Sequence, residues 1–158
     1  MSKPQGDLIA KVRFFIPAFD DKPSAWAGYR SQGTGRRKFV TPKEQTVRQE
    51  IMLACRAELK RLNLEHLPTL DCVVVLRVGV FWRRPKKWWP GMEPTTRPDA
   101  TNYLKLFEDA LNKYAWKDDS IIVDPSCRKV YWDYPGYLGL IWYYEKVPRP
   151  VKERALKK

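Results

Sequence analysis

Between Leu8 and Ile16 the apolar residues Leu8, Ala10, Val12 and Phe14 alternate with Lys11 and Arg13. A period of two predicts a strand with one buried face, opening a sheet. Residues 17–40 break the pattern: Pro17, Pro23, Gly28, Gly33 and Gly35 interrupt them, apolar positions are few, and the stretch ends on Arg36, Arg37 and Lys38. It reads as a long basic loop. The period then becomes helical. Thr41 can cap free backbone N–H groups, Pro42 suits a first turn, and Glu44 completes a capping box. Val47, Ile51, Ala54, Cys55, Leu59 and Leu62 share one stripe while Arg48, Gln49, Arg56 and Lys60 occupy other faces, which predicts a helix to about Leu62 packed on the sheet.

CVVVLRVGVFW, Cys72–Trp82, is too rich in β-branched residues for a comfortable helix and predicts a largely buried strand. Prolines forbid regular structure in the RRPKKWWPGMEPTTR that follows. Asp99 is placed to cap a second helix, with Asn102 at its third position. Leu104, Phe107, Leu111 and Tyr114 form the expected buried stripe, and Asn102, Lys105, Asp109 and Asn112 a polar one. After Tyr114 the helix should stop, AWKDDS connecting to strands near Ile121–Val123, Arg128–Tyr134 and Leu138–Glu145, with Tyr134, Pro135 and Gly136 as the last turn. The pattern implies an α+β fold in one domain, a mixed β-sheet packed by two main helices. That domain is expected over residues 1–146, with residues 147–158 a basic, partly disordered C-terminal tail.

Composition narrows the function. Thirty Lys and Arg stand against 18 Asp and Glu in 158 residues, a formal charge of +12, so the partner should be acidic, and nucleic acid is the commonest such partner. No apolar run approaches the roughly 18 residues that span a bilayer, so no membrane partner and a cytoplasmic location are expected. Cys55, Cys72 and Cys127 lack metal-site spacing and read as reduced, mostly buried thiols; with one histidine, His66, histidine-based metal chemistry has no support.

Against this basic background, Asp99, Glu108, Asp109, Asp118, Asp119 and Asp124 gather in one stretch, Arg97–Asp124. They are either a solvated, helix-capping face or carboxylates that hold a divalent cation beside a polyanion. Spacing alone leaves both open: a helix of about 12 residues is roughly 18 Å long, so Asp99 and Asp119 meet only if tertiary structure brings them together. Asp118 and Asp119, being adjacent, are expected to point apart. Arg83, Arg84, Lys86, Lys87 and Arg97 interleave with Trp88 and Trp89, which suits phosphate contact and base stacking, or else a loop whose tryptophans cap the core. With Arg36, Arg37 and Lys38, these five cations and Trp88 are the candidate DNA-binding residues. Lys105 is either a cation for the reacting phosphate or an i,i+4 partner of Asp109.

RPDATNYLKLFEDALN followed by WKDDS resembles the RusA family of Holliday-junction resolvases, whose pattern is Pro-Asp-x-Asp-Asn-Leu-x-Lys, then Asp-Ala-Leu, then Trp and paired aspartates before an apolar strand. The matching residues are Pro98, Asp99, Asn102, Lys105, Asp109, Ala110, Leu111, Trp116, Asp118, Asp119 and Ile121. The resemblance implies a homodimeric endonuclease of DNA recombination and repair, in a bacterial cell or phage-infected host. Such an enzyme cuts branched DNA, the four-way junction, with Mg2+ or its substitute Mn2+. It implies Asp99, Lys105 and Asp119 as catalytic residues and Asp99, Asp119 and Asp118 as metal ligands, with Thr101, Asn102 and Asp109 in support. Thr101 departs from the pattern, standing where the family has its second aspartate. The alternatives are a relative that binds junctions without cutting them, and a basic scaffold protein for acidic partners.

Overall fold

The computed structural model describes residue 4 and residues 6–25, 30, 31 and 38–147. In chain order its elements are β1 (Leu8–Pro17), β2 (Arg30–Ser31), β3 (Lys38–Phe39), α1 (Pro42–Arg61), β4 (Cys72–Arg83), α2 (Ala100–Leu111), β5 (Ile122–Trp132) and β6 (Gly136–Glu145). Four strands form one sheet in the order β1-β6-β4-β5. β6 is antiparallel to both β1 and β4, whereas β4 and β5 run parallel. A parallel pair needs a crossover connection, and α2 supplies it. The result is the α+β domain with a mixed sheet and two helices that the periodicities imply. β2 and β3 pair inside the stretch expected to be loop.

Alternation decides the buried face. Val12, Phe14 and Ile16 of β1, Val74, Leu76, Val78, Val80 and Trp82 of β4, and Ile141 and Tyr143 of β6 are buried. Onto them α1 places Val47, Ile51, Cys55 and Leu59, and α2 places Tyr103, Leu106, Phe107, Ala110 and Leu111. α1 packs on β1 and on α2, and α2 on β4 and β5. Each large apolar side chain so removed from water stabilises the fold by roughly 1.5–3 kcal/mol.

Several elements differ from expectation. β5 is one continuous strand, Ile122–Trp132, instead of two short ones, because pairing with β4 carries it past Asp124 and Pro125. α2 ends at Leu111 and not after Tyr114. Lys113 takes φ 67, and the backbone N–H groups of Tyr114 and Ala115 both close on the Leu111 carbonyl, at 2.9 and 2.8 Å. This turn sends Ala115 and Trp116 into the core and leaves Tyr114 45% exposed. The buried stripe of α2 is also rotated: Tyr103 and Leu106 are fully buried, and Leu104 only half-buried. Tyr103 tolerates burial because its hydroxyl donates to the Pro23 carbonyl at 2.7 Å. Thr41 caps α1 as expected, its hydroxyl accepting from the Glu44 N–H at 3.2 Å, but the Glu44 side chain turns inward.

Cys55 and Cys72 are buried and Cys127 is half-buried; all three are free thiols. Burial pushes the Cys55 and Cys127 thiols up to about 12. At pH 8 less than roughly one molecule in a thousand then carries either thiolate, the reactive form. Ellman's reagent should therefore label Cys55 and Cys127 slowly in the folded protein and all three cysteines at once in guanidinium chloride. Immediate labelling of Cys55 in the native protein would contradict this packing. Among the described residues no helix is long and apolar enough to cross a membrane. Of the expected C-terminal tail, residues 148–158 lie outside the described residues.

Candidate active site along the second helix

Asp99 is the N-cap residue of α2, yet its side chain makes no cap hydrogen bond. The carboxylate is exposed and keeps its lone pairs for another partner. The segment leading to it is held from β5: Lys129 Nζ donates to the carbonyls of Thr96 and Pro98, each at 2.9 Å, and lies 5.1 Å from the Trp82 ring centre. Thr101 is exposed on the first turn, and Asn102 is half-buried with its N–H on the Asp99 carbonyl.

Asp119 belongs to the other end of the helix. Trp116 is fully buried, and a buried indole N–H needs an acceptor. Asp119 Oδ1 accepts from Trp116 Nε1 at 2.7 Å, and Oδ2 lies 3.4 Å from Nδ2 of Asn112, the C-cap residue of α2. Asp118 does something different. Its Oδ1 accepts from the Ser120 N–H at 2.9 Å and caps the short 3-10 turn Asp119–Ile121, and hydrogen bonding from the Ser120 side chain first, then from its N–H, holds its carboxyl below the usual range. Adjacent aspartates thus face different ways, one toward Trp116 and Asn112 and one onto its own turn.

Between these ends runs a chain of ions. Lys105 Nζ contacts Asp109 Oδ1 at 2.8 Å, Asp109 Oδ2 accepts from a terminal guanidinium nitrogen of Arg48 at 2.9 Å, and the same nitrogen donates to Glu44 Oε1 at 2.7 Å. Lys105 is held above its usual range, first by the Asp109 hydrogen bond and further by the charges of Asp109, Glu108 and Asp119. Glu108 is pushed up by burial, opposed by Lys105, and pushed up again by Asp119 and Asp109. Lys105 and Glu108 therefore both lie within the field of the Asp109 and Asp119 charges. Asp99 stands apart: the 12 residues of α2 span about 18 Å between its N-cap and the Asn112 that touches Asp119. Among the described residues no three Asp, Glu, His or Cys side chains are grouped to hold a metal ion.

The sequence assigns no site role to Arg48, Glu44 or Lys129, and it names Glu108 only as one of the acidic residues of the stretch 97–124. Arg48 lies off the apolar stripe of α1 and 61 positions before Asp109, so no local spacing signals their contact. Glu44 read as half of a capping box but is 2% exposed and faces Arg48. A buried carboxylate needs a cation, which is the one signal that could have found the pair had the burial been known.

The basic surface divides. Arg36 and Arg37 lie outside the described residues, and Lys38 is described in its backbone alone. Arg83 Nε donates to Asp21 at 2.6 Å and Arg84 Nε to the Asp133 carboxylate, so both tie loops to the end of β4. Lys86, Lys87 and Arg97 are exposed. Trp88 packs edge-on against Tyr131 at 4.8 Å and stays 42% exposed, and Trp89 is 78% exposed. If this loop contacts DNA, Lys86→Ala/Lys87→Ala should weaken junction binding and lower the salt slope by about two, because each ammonium withdrawn from a phosphate leaves about one more counterion condensed on the DNA. A Kd unchanged across a salt series would leave the loop a cap on the core.

Comparison with known proteins adds two findings. Residues 22–137 match the family model described as endodeoxyribonuclease RusA. A segment of 44 residues is 48% identical to the uncharacterized protein YqaN of Bacillus subtilis (strain 168), covering 28% of this chain and 31% of that protein. The chain thus spans under a third of the length of that curated relative.

Proposed function

The chain belongs to the RusA endodeoxyribonuclease family, and from that membership we propose that it is an endonuclease that resolves four-way and other branched DNA by divalent-metal-dependent phosphodiester hydrolysis. We propose that it acts as a homodimer in a bacterial cell or phage-infected host. The observation that carries the reading in the structure lies along α2 and its exit, where Lys105 contacts Asp109 at 2.8 Å and the charges of Glu108 and Asp119 act on the same ammonium. A cation for the phosphate and carboxylates for a metal are what hydrolysis of a polyanion requires.

The donor set suits Mg2+, which takes one or two protein carboxylates and completes its shell with water and phosphate oxygens. Asp119 and Glu108 would hold it: the first has unused lone pairs, and the second is pushed up by burial and by neighbouring negative charge that a cation relieves. Bound there, the ion would supply activated water and offset charge developing on the phosphate. The remaining work belongs to side chains. Lys105, 44% exposed, presents its ammonium to the phosphodiester and compensates the leaving oxygen. Trp116 and Asn112 keep the Asp119 carboxylate oriented. Lys86, Lys87 and Arg97 offer charge to neighbouring phosphates. Asp99 stays in the proposed site because its carboxylate is exposed and makes no cap hydrogen bond.

The test is a synthetic four-way junction incubated with Mg2+, alongside EDTA and linear-duplex controls. Symmetric, metal-dependent nicks confined to the junction are the expected result. Tight junction binding without cutting would favour a non-catalytic relative, the reading to which Thr101 in place of the family's aspartate points. Failure to prefer junction over duplex would leave only a basic scaffold.

A further inference from the structure

A lysine is a poor device for placing charge precisely, because its four-carbon stem keeps many rotamers. On α2 that freedom is removed by a partner that is itself immobilised. Asp109, one turn after Lys105, spends one carboxylate oxygen on the lysine at 2.8 Å and the other on Arg48 of α1 at 2.9 Å. Arg48 is held in turn at 2.7 Å by Glu44, which is 2% exposed. The chain of ions joins two helices and ends on the only one of its four members that is more than a quarter exposed, Lys105.

Such a chain is a costly way to pack two helices. A buried or half-buried ion network is commonly no more stable than apolar side chains of similar volume. Here, moreover, the buried Nε of Arg48 has no hydrogen-bond partner among the described residues. An exposed i,i+4 pair, the other structural account, would need no third and fourth member. What the arrangement does accomplish is to fix the position of one exposed ammonium on α2.

We propose that Arg48 is a positioning residue for strand cleavage, clamping Asp109 from α1 so that the Lys105 ammonium is held where the phosphodiester is cut. This rests on the reading of Lys105 given above. Arg48 acts through Asp109 and does not touch the substrate.

Removing Arg48 alone would take a cation from the buried Glu44 carboxylate as well as from Asp109, so the informative variant is Glu44→Gln/Arg48→Met, compared with Glu44→Gln as its reference. Single-turnover cleavage of a four-way junction at saturating protein is measured with Mg2+, and the junction Kd with Ca2+ in its place. The double variant should lose roughly tenfold to a hundredfold in rate relative to its reference, the scale on which a misplaced group costs rate, with Kd unchanged. Asp109→Asn, nearly isosteric and leaving the Arg48–Glu44 pair intact, should show the same loss, and the combined variants should lose no more than either alone. A rate equal to that of Glu44→Gln, a full-rate Asp109→Asn, or losses that multiply when combined would each overturn the proposal. Lys105→Met separates the two levels. If it cuts at the wild-type rate, the reading of Lys105 itself has failed and the clamp falls with it. If Lys105→Met is impaired while Glu44→Gln/Arg48→Met is not, only the clamp is wrong.

Discussion

Asp119→Asn should abolish junction cutting, lowering the single-turnover rate on the order of a thousandfold, while junction affinity stays within a few-fold of wild type. The replacement keeps the shape of the side chain and an oxygen to accept from the Trp116 indole, so the turn at Trp116 and Asp119 survives. What disappears is one negative charge from the group formed with Glu108 and Asp109, hence affinity for a hard divalent cation. The basic surface is untouched, and loss of a carboxylate beside DNA favours binding if it changes it at all. Asp118→Asn is the control on the neighbouring residue, whose carboxylate caps its own turn at the Ser120 N–H; it should cut normally. Asp99→Asn is the paired measurement. A comparable loss keeps Asp99 in the reaction from the far end of α2, and near-normal cutting removes it. A Mg2+ titration of cleavage at equal junction occupancy reads all three, and a fully active Asp119→Asn would refute the site assignment.

Phe107→Ala should destabilise the protein by about 3–5 kcal/mol, the usual range for deleting a buried aromatic ring. Phe107 is fully buried, with ring centres 6.2 Å from Phe14 of β1 and 6.1 Å from Tyr137 of β6. It fastens α2, and so Lys105 and Asp109, to the sheet. A loss of this size is a large share of the roughly 5–15 kcal/mol that stabilises a typical domain. Urea unfolding followed by circular dichroism measures it through the shift in midpoint at constant slope. Phe107→Leu, which keeps an apolar side chain in the space, should cost less than Phe107→Ala and leave the helix docked. A shift under about 1 kcal/mol for Phe107→Ala would mean that α2 is not anchored at this position.

The helix start at Thr41 and Pro42 was legible because caps are local: the hydroxyl and the N–H it receives are three residues apart. The strand at Cys72–Arg83 was legible because its β-branched run has no comfortable alternative. The end of α2 was not. Tyr114 continues the three-and-four spacing, but Asn112 leaves the helical region at ψ 129 and Lys113 follows at positive φ, a turn that ends the helix at Leu111 and sends Ala115 and Trp116 into the core. The sequence predicts two short strands near Ile121–Val123 and Arg128–Tyr134, but pairing along β4 carries one strand through Asp124 and Pro125 between them.

At the candidate site the boundary falls in the same place. The amino-acid sequence determined which residue types lie along residues 97–124: a basic chain with acidic residues concentrated on one helix and its exit, Lys105 one turn before Asp109, and Trp116 three residues before Asp119. Those are relations of spacing, and a helix or a turn converts spacing directly into neighbourhood. Only the tertiary structure decided that Asp118 caps its own turn while Asp119 faces Asn112, and that the length of α2 lies between Asp99 and Asp119. It alone decided that Arg48, from a helix 61 residues earlier, holds the carboxylate that holds Lys105. Contacts of that kind depend on how two helices are rotated against each other and against the sheet, which the packing of Phe107, Ile51 and Phe14 sets and no local pattern of charge records.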